Sequence, residues 1–387
     1  MNLQPVRKLH GFEPHTPALP TPMNCRPRLL TAFPWHALVI GLTLWLGACA
    51  EVPPPGPETS VAAMGQRVFP AEPAQAQYVF ERALYGRNDL MPNPNTGFMT
   101  FLTGKSRGQE TLAEGLARPQ AIAVHQGRVF VANAMDAAIS VFDLNQRRFY
   151  KVGDQTTGAL RAPVGLSVNR AGELFVADAA AQAVLVYDTT GRYVRRIGGP
   201  RWFTHLTNVT VEAKTKRVYA LDQDDARQQV RVFDGLDGTH LFDFGAPGNG
   251  PGQLDQPVDL ALGLQGQVLV VDGGNLRVQV FDADGHFIRS IGRPGKQPGE
   301  FARPKEIAVD AQSQVYVADS ALGTVQVFTS QGDYLYAIGT RSQSDAPGHY
   351  LISGGLAVDT DGRLVVADQW FGKLEVFRPV RSHANSN

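Results

Sequence analysis

Val315-Tyr316-Val317-Ala318-Asp319, followed by Val325-Gln326-Val327-Phe328, is one copy of a phrase that runs through the chain. Other copies are Val129–Asn133, Leu174–Asp178, Val218–Asp222, Val268–Asp272 and Leu364–Asp368. The six copies start 44 to 50 residues apart. That period belongs to propeller blades rather than to most helical repeats. Within a copy, apolar side chains alternate with period two, as half-buried strands require. Tight turns separate the strands at Asn169–Gly172, Thr189–Arg192, Asp282–Gly285 and Thr360–Gly362. Gly and Asp there supply the positive-φ positions of short hairpins. Each copy thus predicts three or four antiparallel strands, one blade of an all-β, six-bladed β-propeller.

The sixth copy stops early. Val376-Phe377 is followed by a basic and polar end, with no counterpart of Tyr334–Gly339. Tyr78–Gly86, near the other end, has the missing pattern. It is expected to pair with blade six, closing the ring and covering an open sheet edge.

The chain has 387 residues, a formal net charge of zero and two cysteines. Neutrality gives nucleic acid no electrostatic pull. Arg26 and Arg28 precede an apolar run from Ala37 to Leu46, too short to span a bilayer and flanked like a secretory signal. The run ends in Leu46-Gly47-Ala48-Cys49, which resembles a bacterial lipobox. The resemblance implies cleavage between Ala48 and Cys49 and lipidation of Cys49. Residues 1–48 are then a lipoprotein signal peptide, with Met23 as a second candidate start. Removing them takes away four basic side chains and one acid, bringing the formal charge to −3, and leaves one cysteine and no intramolecular disulfide. Ala50, where an Asp would favour inner-membrane retention, implies the outer membrane of a Gram-negative cell envelope. A multiply acylated cysteine anchors stably. Residues 49–74, with six prolines, read as an extended tether. Residues 75–380 are the propeller and 381–387 a polar tail.

The repeats resemble NHL repeats, most clearly in Gly252–Leu262, Val271–Gly285 and Phe287–Gly292, and again in Gly299–Pro304 with Val317–Asp319. The resemblance spans roughly 115–378 and implies an NHL/TolB-like six-bladed propeller. Blade three departs most, with His205-Leu206-Thr207 where the others carry a proline segment. Blade one has Asn133 where the others have Asp.

In propellers the first strand of each blade lines the channel. The residue before its apolar triplet is Ala121, Gly165, Asn208, Asp259, Glu306 and Gly355 in turn. Asn208, Asp259 and Glu306 offer oxygen ligands on three consecutive blades, suited to a hard cation such as Ca²⁺. Six-bladed calcium-dependent lactonases are similar to this architecture, which implies a metal-dependent hydrolase or lyase as the second reading. Hydrated polar residues at a channel mouth are the plainer one. Peptidylglycine lyases, also six-bladed, hold zinc with three channel histidines, whereas no three histidines here share an equivalent position. Asp178, Asp222, Asp272, Asp319 and Asp368 are expected to be structural, because five equivalent copies mark a repeated turn rather than one site.

Two aromatic pairs, Trp202-Phe203 and Trp370-Phe371, fall in loops on the channel-mouth face. Such side chains are enriched at interface cores, so these four are the candidate partner contacts. Haem, zinc-finger, P-loop and Gly-x-Ser-x-Gly signatures are missing from the sequence. The expectation is a monomeric, membrane-anchored binding or scaffold module for an envelope protein, peptide or glycan. It names no catalytic residue, no nucleic-acid partner and no cofactor beyond the Ca²⁺ candidate.

Overall fold

A computed structural model describes residues 67–71, 74–90, 115–212, 214, 216–224 and 226–380. The predicted signal peptide, Cys49, most of the tether and the polar tail lie outside them. No helix among the described residues is long and apolar enough to cross a membrane.

Six antiparallel sheets form the six blades. Blade one holds Pro119–His125, Arg128–Asn133, Ile139–Asp143 and Arg148–Val152. Blades two to five repeat this order, from Pro163–Val168 to Tyr334–Ile338. The innermost strands pack against one another in sequence around the ring, and that of blade six, Ser353–Val358, returns to Pro119–His125.

Burial follows position in the blade. Second strands such as Leu174–Asp178 and Val315–Asp319 are buried at every residue. They lie between neighbouring sheets, so both faces carry apolar side chains. The outermost strands Tyr193–Ile197, His240–Phe244 and Phe287–Ile291 alternate between half-buried and exposed until a buried last residue. Water on one face accounts for that period-two pattern. Phe142, Tyr187, Phe233, Phe281, Phe328 and Phe377 fill the same third-strand position and are all fully buried.

Blade six closes the ring as expected. Tyr78–Leu84 pairs antiparallel with Lys373–Pro379, setting Phe80 against Phe377 and Leu84 against Leu374. Tyr78 also reaches back to blade five, where its hydroxyl lies 2.9 Å from that of Tyr316. The tether boundary at residue 74 needs correction. Val68–Phe69 adds a fifth strand to this sheet, paired with Tyr78 and Val79. The Phe69 ring meets Phe377 edge-on at 5.3 Å, a contact of about 1 kcal/mol beyond its area burial. Nearby prolines disguised this pair as tether.

The repeated aspartates are structural, by a geometry wider than the turn alone. Asp368 accepts Trp370 and Phe371 N–H groups in the following turn. Its other oxygen accepts Leu351 and Ile352 N–H groups, which lead into the first strand of the same blade. Asp319 does the same with Ala321, Leu322, Ala302 and Arg303. Asp178, Asp222 and Asp272 likewise reach back to the entry segments at Arg161, Thr204 and Asp255. Each carboxylate therefore ties two segments of one blade together. Backbone donors buried without such acceptors would be costly.

Candidate functional site

The six channel positions share one backbone device. In every blade the ladder between first and second strands slips one residue immediately before that position, at Pro119/Ala121, Pro163/Gly165, Leu206/Asn208, Pro257/Asp259, Pro304/Glu306 and Ser353/Gly355. Such irregularities bend a strand and re-aim its side chains. Here they bring Ala121, Asn208, Asp259 and Glu306 into the lining of a cavity of about 230 Å³ on the ring axis. Ala121, Gly165 and Gly355 make one half of this level small. Asn208, Asp259 and Glu306 make the other half polar.

The small half makes room. A Cβ on Gly165 would come within 2.6 Å of the Asn208 backbone, and Gly355 takes a φ of 149° beside Ile122. The polar half is knitted across three blades. Asn208 donates its amide to Asp259 Oδ1, while its own Oδ1 accepts the Val209 N–H at 2.7 Å. Asp259 Oδ1 accepts the Leu260 N–H and Oδ2 the Ile307 N–H of the next blade, each at 2.7 Å. The Asp259 and Glu306 carboxyls are neighbours close enough to interact electrostatically.

Asp259 is only 6% exposed. Burial holds its carboxyl well above the usual carboxylate range, and the Glu306 charge raises it further, against its three N–H donors. Burial likewise pushes Glu306 up to about 7, offset in part by Lys305. The exposed part of Glu306 faces the narrow lumen. Two carboxyls this close and this dry retain a shared proton near neutrality.

The three residues proposed as metal ligands therefore do meet. Both Asp259 oxygens already serve backbone donors, and the amide nitrogen of Asn208 points at Asp259. A cation would have to displace those bonds before gaining oxygen ligands. Among the described residues no three His, Cys, Asp or Glu side chains converge as a metal site. Ser167 and Thr210 also line the channel. They follow the apolar alternation and carried no separate signal in the sequence.

The two aromatic pairs do not form one patch. Trp202 enters blade three and Trp370 belongs to blade six, half a ring away. Trp370 is 64% exposed. Phe371 is half-buried, with Lys373 Nζ 5.2 Å from its ring centre. Trp202 is half-buried and lies flat on His240 of the outermost strand, with ring centres 4.2 Å apart. Phe203 is corrected from contact to core, because it is only 1% exposed. It plugs the space beneath Gly198, as Leu254 does beneath Gly245 and Phe301 beneath Gly292. Comparing the residue three before the start of the first strand of each blade would have found it. The histidines stay separate: His286 pairs with Asp282, and His349 with Ser344.

Comparisons with known proteins agree with this architecture. Residues 256–321 match a family described as a 6-bladed beta-propeller. A stretch of 48 residues is 44% identical to Protein lin-41 of Caenorhabditis elegans, covering 12% of this chain and 4% of that protein. Among solved structures, hydrazine synthase of Kuenenia stuttgartiensis aligns with a TM-score of 0.50 at 11% identity, over 73% of this chain and all of that one. A gluconolactonase of Xanthomonas campestris gives 0.51 at 16%, over 68% and 86%. A Bacteroides thetaiotaomicron protein of unknown function gives 0.54 at 13%, over 68% and 70%. At these identities the likeness is one of fold, and on that ground and its own strand order the chain is a six-bladed β-propeller.

Proposed function

We propose that this chain is a binding or scaffold module of the cell envelope, anchored through a lipidated Cys49, with its channel-mouth face turned to a protein, peptide or glycan. The exposure of Trp370 on that face carries the reading. A large aromatic left in water at a loop tip gives up burial that a partner can recover. Ile352 and Met135 are also exposed on the same face. Their loops adjoin the Trp370 loop: Gln369 N–H bonds Ile352 O, and Ala134 N–H bonds Arg118 O beside the Leu116 backbone that abuts Gly372. Export, lipidation and the outer-membrane location rest on the Leu46–Cys49 motif and on Ala50.

The test is Trp370→Ala in a cross-linked pull-down from envelope membranes. Partner recovery should fall by about tenfold, as for loss of a hot-spot aromatic. Undiminished recovery of every partner rejects this face. A second reading, a metal-dependent hydrolase or lyase, is favoured by the convergence of Asn208, Asp259 and Glu306 and by the fold likeness to a gluconolactonase. It requires stoichiometric Ca²⁺ or Zn²⁺ after dialysis and a melting temperature lowered by chelation. Neither effect is expected from the bonds Asp259 already makes.

A further inference from the structure

The end of the ring opposite the channel mouth carries the hairpins between first and second and between third and fourth strands. Clefts open there between neighbouring blades, and three of them can be compared. The cleft between blades two and three has about 350 Å³. Of its two arginines, Arg170 is exposed and Arg195 is consumed: Arg195 Nε donates to Gly235 O at 2.7 Å, and Nη1 pairs with Glu173 at 3.0 Å. The cleft between blades four and five has about 250 Å³, and Arg289 is clasped to Ser330 O. In both, the guanidinium works as a rivet between blades.

The cleft between blades one and two differs in size and in how its arginines are partnered. It has about 730 Å³ and two arginines, Arg128 and Arg148. Arg128 reaches Thr189 O only at 3.4 Å, and Arg148 reaches the neutral Gln146 side chain at 3.3 Å. Neither has a carboxylate within ion-pair distance among the described residues. Asp143, the acid of the lining, is buried and spends Oδ1 on the Gln146 N–H. Aromatic rings support both cations, Phe130 at 5.8 Å under Arg128 and Tyr150 at 6.0 Å under Arg148. The remaining wall is neutral and polar, with Asn145, Thr189 and Thr190.

We propose that this cleft binds an acidic saccharide, with its carboxylate held by Arg128 and Arg148 and its hydroxyls by the amide and hydroxyl side chains around them. Planar guanidinium groups match a carboxylate in a bidentate fork. A volume of this size is that of a small-molecule site, and a bare inorganic anion would fill little of it. The polar wall suits a ligand rich in hydroxyls, and Tyr150 offers a ring edge beside them. This site lies on the far face from Trp370 and does not depend on the scaffold reading.

The test titrates the full-length chain with digalacturonate, its methyl ester and inorganic phosphate, read by calorimetry. Digalacturonate should bind saturably, and the ester, which keeps the shape and loses the charge, about tenfold more weakly or worse. Arg148→Gln should also cost about tenfold, and Arg148→Lys should recover only part, since a point charge replaces a fork. Arg148 is exposed, so the variant will fold, whereas Arg128→Gln also loosens a blade contact and serves as the second variant. Absent saturation, binding unchanged in Arg148→Gln, or phosphate binding as tightly as digalacturonate would each overturn the proposal.

Discussion

Two sets of buried carboxylates sit on neighbouring strands of this ring and do opposite jobs. Asp368 and its equivalents each draw backbone donors from two segments of one blade. Asp259 draws its donors from three blades, through Asn208, Leu260 and Ile307, and faces a second carboxyl as well. The first kind completes a blade and recurs because every blade needs completing. The second ties blades together on one half of the channel and occurs once. Repetition therefore marks local construction, whereas the departure from repetition marks where the ring as a whole is specified.

The largest test of this contrast is Asp368→Ala. Four backbone N–H groups would lose an acceptor that is itself fully buried. Unfolding in urea should show a loss of about 4 kcal/mol. Asp368→Asn should cost less than half of that, and blade one supplies the reason. There Asn133 already serves, with Oδ1 accepting the Arg118 N–H and its amide turned to Asp136. Equal losses for Ala and Asn would mean that charge, not donor satisfaction, holds the blade.

The contrast also explains what was legible in the sequence. The period announced the blades, and five equivalent aspartates announced a turn. Hydrogen bonds within a blade connect residues whose spacing repeats, so they leave a pattern. The bonds of Asp259 connect residues 48 and 51 positions away in other blades, and nothing in a single copy records them. The channel level itself was readable as six aligned positions, but its internal pairing was not. Phe203 reads as a contact residue in the sequence because its neighbour Trp202 draws it into a pair. Its own kin are Leu254 and Phe301, fixed beneath a glycine in their blades. Val68–Phe69 was hidden in the same manner by the prolines around it.

A smaller effect, with a distinctive pH dependence, belongs to Glu306. Its folded pKa of about 7 lies above the usual value of 4.5, so the folded chain holds a proton that the unfolded chain releases. The stabilisation from that proton is complete below pH about 4.5 and is lost as pH rises through about 7. The wild type should thus lose about 2 kcal/mol between pH 5 and pH 8, the lumen water screening part of the full shift. Glu306→Gln keeps a neutral hydrogen-bonding side chain and should remove the Glu306 part of that dependence, leaving the part that burial of Asp259 supplies. If the variant keeps the wild-type slope, the titrating group lies elsewhere.

The smallest effect separates a latch from a ligand. Asn208→Ala removes one donor to Asp259 and one acceptor for the Val209 N–H, which should cost about 1.5 kcal/mol. It also takes away a hydrogen bond that favours ionised Asp259, so the loss of stability with rising pH should steepen. The steepening should be smaller in the double variant Asn208→Ala with Glu306→Gln, because the Glu306 charge no longer adds to the burial of Asp259; a double-mutant cycle at pH 5 and pH 8 measures this. Were the three residues instead cation ligands, each single variant would abolish the same bound ion. The cycle would then show one loss shared by both substitutions, present at either pH and removed by chelation.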